Sequence, residues 1–110
     1  MKHHTNARAA IERQYQAVKA EIIEEREPAC EGCGTYSGSI TFSHRIPRSR
    51  RRDLIADKDN IDLMCHTCHD HVEAGRYDEL GNGDAIQRYI AAEEPELLEI
   101  KKLRRDNLAA

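Results

Sequence analysis

Two short cysteine motifs decide the fold of this chain: CEGC at residues 30–33 and CHTC at residues 65–68. A two-residue gap lets both thiolates of a motif reach one ion about 2.3 Å away, and two pairs complete the tetrahedron that zinc prefers. Such a closed site leaves no coordination position open for chemistry. The sequence therefore predicts one structural Zn²⁺ ion. Its ligands are Cys30, Cys33, Cys65 and Cys68.

The cysteines have two alternative interpretations. CHTCH at residues 65–69 also matches a c-type haem attachment site, which normally requires export, whereas the first five residues do not resemble a signal peptide. A dithiol redox site is the other alternative. Only 20 of the 110 residues are Ile, Leu, Val or Phe. Zinc binding would contribute about 10–16 kcal/mol of apparent folding free energy and so compensate for the small number of apolar core residues.

Length and composition limit the class of protein. A chain of 110 residues with a net charge of −3 accommodates one domain, or one small domain with helical extensions. No apolar run approaches the roughly 18 residues of a membrane span. We therefore expect a cytoplasmic protein, in a compartment where cysteines more often serve metal or redox chemistry than disulfides.

The N-terminal segment, residues 1–28, is predicted to be an amphipathic helix. Thr5 or Asn6 can cap its start, and Pro28 ends it by disfavouring helical geometry at the preceding residue. Apolar residues at steps of four, three and four form one stripe on the helix surface. The stripe consists of Ile11, Tyr15, Val18 and Ile22.

The central segment, residues 29–76, has a different pattern. Residues 39–43 alternate like a strand with His44 at its end, and residues 61–64 alternate again, so the two can pair as a hairpin around a polar loop at 45–59. Residues 65–74 then form a short helix that Gly75 ends.

The C-terminal segment, residues 77–110, is predicted to be helical. Asp84 can cap a helix that runs through Ile90, and Pro95 suits the first turn of another. In that last helix three apolar residues are expected to share one side. They are Leu97, Ile100 and Leu103.

Three further residues stand beside the cysteine motifs: His44 after the first strand, Asn60 before the second, and His69 directly after Cys68. In this order, within a strand–loop–strand–helix, they resemble the HNH endonucleases of the ββα-metal superfamily. The matching text is FSHRIP at 42–47 and DNIDLMCHTCH at 59–69. The resemblance covers roughly residues 30–75.

The resemblance implies an α+β fold, a small zinc-bound ββα-metal core flanked by N- and C-terminal helices. It implies a metal-dependent DNA endonuclease of the small bacterial or phage type. His44 would be the general base, because a histidine pKa near 6.5 suits proton transfer at neutral pH. His69 would hold Mg²⁺, Mn²⁺ or another divalent ion. Asn60 would hydrogen-bond the loop backbone and thereby fix the ring of His44.

Position 43 departs from the family pattern. Many members carry an acidic residue or histidine there as a metal ligand, whereas this chain has Ser43, a poorer ligand for a hard cation. Glu73 lies four residues after His69, on the same helix face, and could replace the missing ligand. Asp62 is a weaker candidate. Ser43 and Glu73 are therefore expected to join His69 at the catalytic metal.

The loop after His44 is rich in arginine, with five arginines and no acid in residues 44–52. Guanidinium groups bind phosphate oxygens in bidentate fashion and position a protein on nucleic acid. Alternatively, the loop pairs with the nine acids of residues 70–99. The predicted nucleic-acid-binding residues are Arg45, Arg48, Arg50, Arg51 and Arg52.

Two other functions stay open at this point. One is an HNH-like zinc module that binds nucleic acid but is catalytically weak or inactive because of Ser43. The other is a zinc-stabilised interaction protein that acts through its outer helices. DNA is the expected partner. A homodimer through the terminal helices and contacts with phage packaging or recombination proteins are further expectations.

Overall fold

The computed structural model describes residues 2–109, and it describes side chains for residues 6–107. Four α-helices and one two-stranded antiparallel sheet make an α+β fold. Three short 3₁₀ turns lie at Arg52–Leu54, Lys58–Asn60 and Tyr77–Glu79. The helices and strands are α1 (Lys2–Glu25), β1 (Ile40–His44), β2 (Ile61–Cys65), α2 (His66–Ala74), α3 (Gly83–Glu93) and α4 (Pro95–Ala109).

The hairpin of β1 and β2 confirms the predicted strands. Its register pairs Ile40 with Cys65 at one end and His44 with Ile61 at the other. Because side chains alternate along a strand, Phe42 and His44 lie on one face of β1, and Thr41 and Ser43 lie on the opposite face. The hairpin therefore places a cysteine motif at one end and His44 at the other.

Helices cover both faces of this small sheet. On one face, the predicted stripe of α1 packs against β2, with Tyr15 and Ile22 buried beside Ile61 and Leu63. On the other face, a larger cluster joins α2, α3 and α4. Its fully buried members include Ile46, Met64, Ile86 and Ile90. Burial from both sides fixes the register of the hairpin, because a slip of one residue would move each side chain to the opposite face, into a cluster packed for other residues.

Some of the expected helix ends and faces are wrong. Helix α1 already begins at Lys2, before the expected caps at Thr5 and Asn6, and the side chain of Thr5 lies outside the described residues. Asp84 lies within the first turn of α3, whose N-cap residue is Asn82. Leu103 is 64% exposed, whereas Leu97 is buried, so the two do not share the packed side of α4.

Gly75 ends α2 as predicted, in the left-handed conformation with φ of 74°. The loop at 45–59 is more regular than expected, because two of the three 3₁₀ turns lie within or across its end. Within the described chain, none of the helices has both the length and the apolar character of a membrane span.

Candidate active site

The four cysteines converge as the motif spacing predicts. All their sulfur atoms lie within 4.8 Å of one another, and the Sγ atoms of Cys33 and Cys65 are 3.8 Å apart. Four sulfurs bound at about 2.3 Å around a tetrahedral zinc ion would be separated by about 3.8 Å. The donor set and its spacing therefore fit one Zn²⁺ ion bound by all four cysteines.

The backbone around Cys30 is also suited to thiolates. The Gly32 amide donates to the Cys30 Sγ over 3.3 Å. Burial raises the pKa of the Cys30 thiol, but surrounding backbone N–H groups outweigh it and lower that pKa to about 7. A Cβ atom on Gly32 would lie 2.9 Å from the Cys68 Sγ, so this turn requires glycine. The first motif is thus shaped closely around the sulfur cluster.

His44 is held by a backbone carbonyl. Its Nε2 lies 2.9 Å from the oxygen of Ile55. Because a carbonyl can only accept, Nε2 carries the hydrogen and Nδ1 has the free lone pair. The ring also lies against Tyr15 of α1, with centroids 5.2 Å apart. His44 therefore has a defined orientation and one nitrogen able to accept a proton.

The surroundings of His44 favour its neutral form. Burial lowers the pKa of the ring, the bond to Ile55 acts in the opposite direction, and the positive charge of Arg48 lowers the pKa further. The net pKa lies below the ordinary histidine value. His44 is thus unprotonated at neutral pH, as a general base must be.

Asn60 is fully buried and bonds to the loop between the strands. Its Nδ2 donates to the carbonyls of Ile46 and Leu54 at 3.1 and 3.0 Å, and its Oδ1 accepts from the Ile46 amide at 2.7 Å. Leu54 immediately precedes Ile55, whose carbonyl holds His44. The amide of Asn60 therefore holds both ends of the loop segment that orients the histidine.

His69 is oriented by Thr41. The Thr41 hydroxyl donates to the Met64 carbonyl over 3.0 Å, and it lies 3.3 Å from Nδ1 of His69. Since the hydroxyl has one hydrogen, it accepts from Nδ1–H, so in the neutral ring of His69 the lone pair lies on Nε2. That nitrogen lies 3.5 Å from the Glu73 carboxylate. Two ligand atoms about 2.1 Å from one cation lie roughly 3.0–3.5 Å apart, so this pair fits a shared divalent ion.

One cleft brings the two histidines together. It has a volume of about 490 Å³, and His44, His69 and Glu73 all line it. Helix α1 contributes Tyr15 to its wall and α4 contributes Lys101. The outer helices therefore complete a site whose reactive groups come from the central segment.

Ser43 and Asp62 lie away from this cleft. Ser43 is 1% exposed and is not among the residues that line the cleft, and its hydroxyl has no hydrogen-bond partner among the described residues. Asp62 is equally buried and accepts two bonds from Arg45, at 2.9 and 3.0 Å. The weaker metal-ligand candidate Asp62 is therefore a structural partner of Arg45.

Four of the five loop arginines are paired with acids. Arg45 binds the buried Asp62, and Arg48 binds Glu12 of α1. Arg50 and Arg51 contact Glu94 and Glu93, and Arg51 also contacts Asp53. The alternative interpretation, pairing with the acids of residues 70–99, is confirmed for these two. Arg52 has no carboxylate partner in the part of the chain that the structure describes.

Sequence reasoning missed three residues of the site: Thr41, Tyr15 and Lys101. Strand alternation predicts that the Thr41 side chain lies on the face of β1 opposite to His44. Its hydroxyl contacts His69 from that face. Lys101 is 4% exposed and donates to the carbonyls of Val72 and Glu73. Burial lowers the pKa of its amine. No local pattern predicts a lysine that caps another helix.

The fold and the site define a small α+β protein with a four-cysteine metal site beside a two-histidine cleft. Residues 30–75 match the family described as HNH endonuclease. The match includes both cysteine motifs, the hairpin and α2, whereas α1, α3 and α4 lie outside it. Comparisons with curated proteins and with solved structures gave no match.

Proposed function

We propose that this chain is a metal-dependent DNA endonuclease in which His44 is the general base and His69 holds a catalytic divalent cation. The observation that carries the proposal is the shared cleft: His44 and His69 both line it, and hydrogen bonding places the ring hydrogen on Nε2 of His44 and on Nδ1 of His69. The HNH match of residues 30–75 supports the same chemistry.

The residues of the cleft would act as follows. His44 Nδ1 removes a proton from a water molecule, and the resulting hydroxide attacks phosphorus while the Ile55 carbonyl holds Nε2–H. The bond from phosphorus to the 3′ oxygen breaks, and that oxygen takes a proton from solvent. The products carry a 5′-phosphate and a 3′-hydroxyl, as the family resemblance implies.

His69 Nε2 and the Glu73 carboxylate would hold the cation, which supplies charge stabilisation for the phosphate and the departing oxygen. Among the described residues, the cysteine quartet is the one group of three or more His, Cys, Asp or Glu side chains that could hold an ion. Water and substrate would therefore complete the catalytic site, which is the usual arrangement for Mg²⁺.

A plasmid-nicking assay with zinc-loaded protein and Mg²⁺ or Mn²⁺ tests the proposal. His44→Ala is expected to slow nicking by roughly 10²–10⁴-fold, the usual contribution of a general base. His66→Ala, an exposed histidine of the same helix, is the matched control and should nick at the normal rate. The mechanism is wrong if His44→Ala nicks as fast as the unmodified protein.

One observation favours a second candidate, a non-catalytic module that binds nucleic acid. Ser43 occupies the position of a family metal ligand but is buried outside the cleft. Binding of a divalent ion in addition to zinc separates the two candidates. Salt-sensitive DNA binding without such a second ion would favour the module.

A further inference from the structure

A second cavity adjoins the catalytic cleft. It has a volume of about 230 Å³ and lies between α1 and the arginine loop. Arg48 and Ser49 line both this cavity and the catalytic cleft. The two cavities are therefore neighbours that share Arg48 and Ser49, so a strand whose phosphate lies beside His44 could place the next phosphate beside α1.

Positive charge dominates the second cavity. Three guanidinium groups line it, those of Arg8, Arg48 and Arg52, against the single carboxylate of Glu12. Arg8 and Arg52 are exposed, and neither forms an ion pair within the described chain. Arg48 is paired with Glu12 and also lies over the Tyr15 ring, 4.9 Å from its centroid. The cavity thus offers two unpaired cations and a third whose partner is an exposed acid.

We propose that this cavity binds the backbone phosphate adjacent to the one that is cleaved, with Arg8, Arg48 and Arg52 as its ligands. Planar guanidinium groups match the oxygens of a phosphodiester, and such contacts position a strand without reading its sequence. The inference rests on the proposed nuclease function. It assigns substrate binding to α1, which lies outside the segment that matches the family.

Glu12 would leave Arg48 when the phosphate binds. In the free protein its carboxylate occupies the guanidinium that the phosphate requires. Both side chains are 43% exposed, so solvent screens the pair and its exchange costs little. In the free protein Glu12 therefore holds Arg48 near His44. When DNA binds, Glu12 competes with the phosphate for the Arg48 guanidinium.

Binding of a short labelled DNA duplex tests this inference, with the His44→Ala protein so that no cleavage occurs. We compare Arg8→Gln and Arg52→Gln with Arg13→Gln, a control that removes an exposed arginine of α1 outside the cavity. Each phosphate contact contributes about 0.9 to the slope of log affinity against log salt concentration. Arg8→Gln and Arg52→Gln should each reduce the slope by about 0.9. Over the tenfold change from 1 M to 0.1 M salt, each variant should therefore gain roughly eightfold less affinity for DNA than the control.

Glu12→Gln should have the opposite effect and strengthen binding at low salt, because the competing charge is gone. The inference is overturned if Arg8→Gln and Arg52→Gln have the same slope as Arg13→Gln, or if Glu12→Gln fails to bind more tightly. Plasmid nicking by the unmodified protein keeps the two proposals distinct. If the unmodified protein nicks DNA while Arg8→Gln and Arg52→Gln bind DNA like Arg13→Gln, the nuclease proposal stands and only the phosphate site is wrong.

Discussion

Helix α2 carries two groups of potential metal ligands one turn apart, and they differ in how complete they are. At its start, Cys65 and Cys68 meet Cys30 and Cys33, so four protein sulfurs can surround one ion. In the next turn, His69 and Glu73 face an open cleft. A closed set of ligands can only hold the fold together, whereas an open set leaves positions for water and substrate. Because both sets of ligands lie on α2, the bonds that hold the cysteines together also fix the position of His69 and Glu73.

Loss of the closed site should have the largest effect. Cys68→Ser removes a buried thiolate, and a structural zinc ion contributes on the order of 10 kcal/mol to folding. We expect circular dichroism to show an unfolded chain and metal analysis to show less than one zinc per protein. Thr67→Ala, which changes an exposed residue of the same turn, should fold and keep its zinc. A folded, active Cys68→Ser protein would contradict the structural role of the quartet.

Asn60→Ala should damage both the fold and the cleft, because it leaves the amide and the carbonyl of Ile46 without a partner and removes one of the two bonds to the Leu54 carbonyl. A loss of roughly 2–4 kcal/mol in the free energy of unfolding is expected, measured by urea denaturation. Nicking should also slow at temperatures where the variant stays folded, since the loop no longer fixes His44. Asn107→Ala, in an exposed position on α4, serves as control. An unchanged nicking rate would show that Asn60 does not position His44.

Thr41→Val tests the open site without touching a proposed ligand. The hydroxyl accepts from His69 and so fixes its tautomer, and loss of such a partner typically weakens metal affinity 10–100-fold. The Mn²⁺ concentration that gives half-maximal nicking should rise by that factor. Thr41→Ser retains the hydroxyl and should behave normally. Equal Mn²⁺ dependence for both variants would exclude this orientation of His69.

The pH dependence should show the smallest effect. His44 accepts a proton only when neutral, and its pKa is lowered first by burial and then by Arg48. Nicking should therefore increase tenfold per pH unit below that pKa and level off above it, with the bend below pH 6.5. Arg48→Gln removes a positive neighbour, so it should raise the pKa and move the bend to higher pH. A bend that moves to lower pH would contradict the assignment.

Local sequence patterns predicted most of the core. The alternation of β1 and β2, the stop at Gly75 and the cysteine spacing all depend on neighbours in the chain, and each is found in the structure. His44 and His69 could be proposed because the resemblance supplied their order. The shared cleft then followed from how the hairpin and α2 pack together.

The misjudged residues depend on distant partners. Arg45 looked like its neighbours in the loop, yet it is partly buried and bonds to the buried Asp62, a partner that only the strand register brings close. Arg51 meets Glu93 because the end of α3 packs beside the loop. Lys101 lies inside because α4 places its amine at the C-terminal carbonyls of α2. A charged residue alone does not indicate whether its partner is a phosphate, an acid or a carbonyl.

Mn²⁺ titration of the zinc-loaded protein, followed by electron paramagnetic resonance, tests the central claim most directly. The account predicts one Mn²⁺ site besides the zinc, abolished in His69→Ala and retained in His44→Ala, although both variants fail to nick DNA. Retention of the Mn²⁺ site in His69→Ala, or its loss in His44→Ala, would contradict this division of roles between the two histidines.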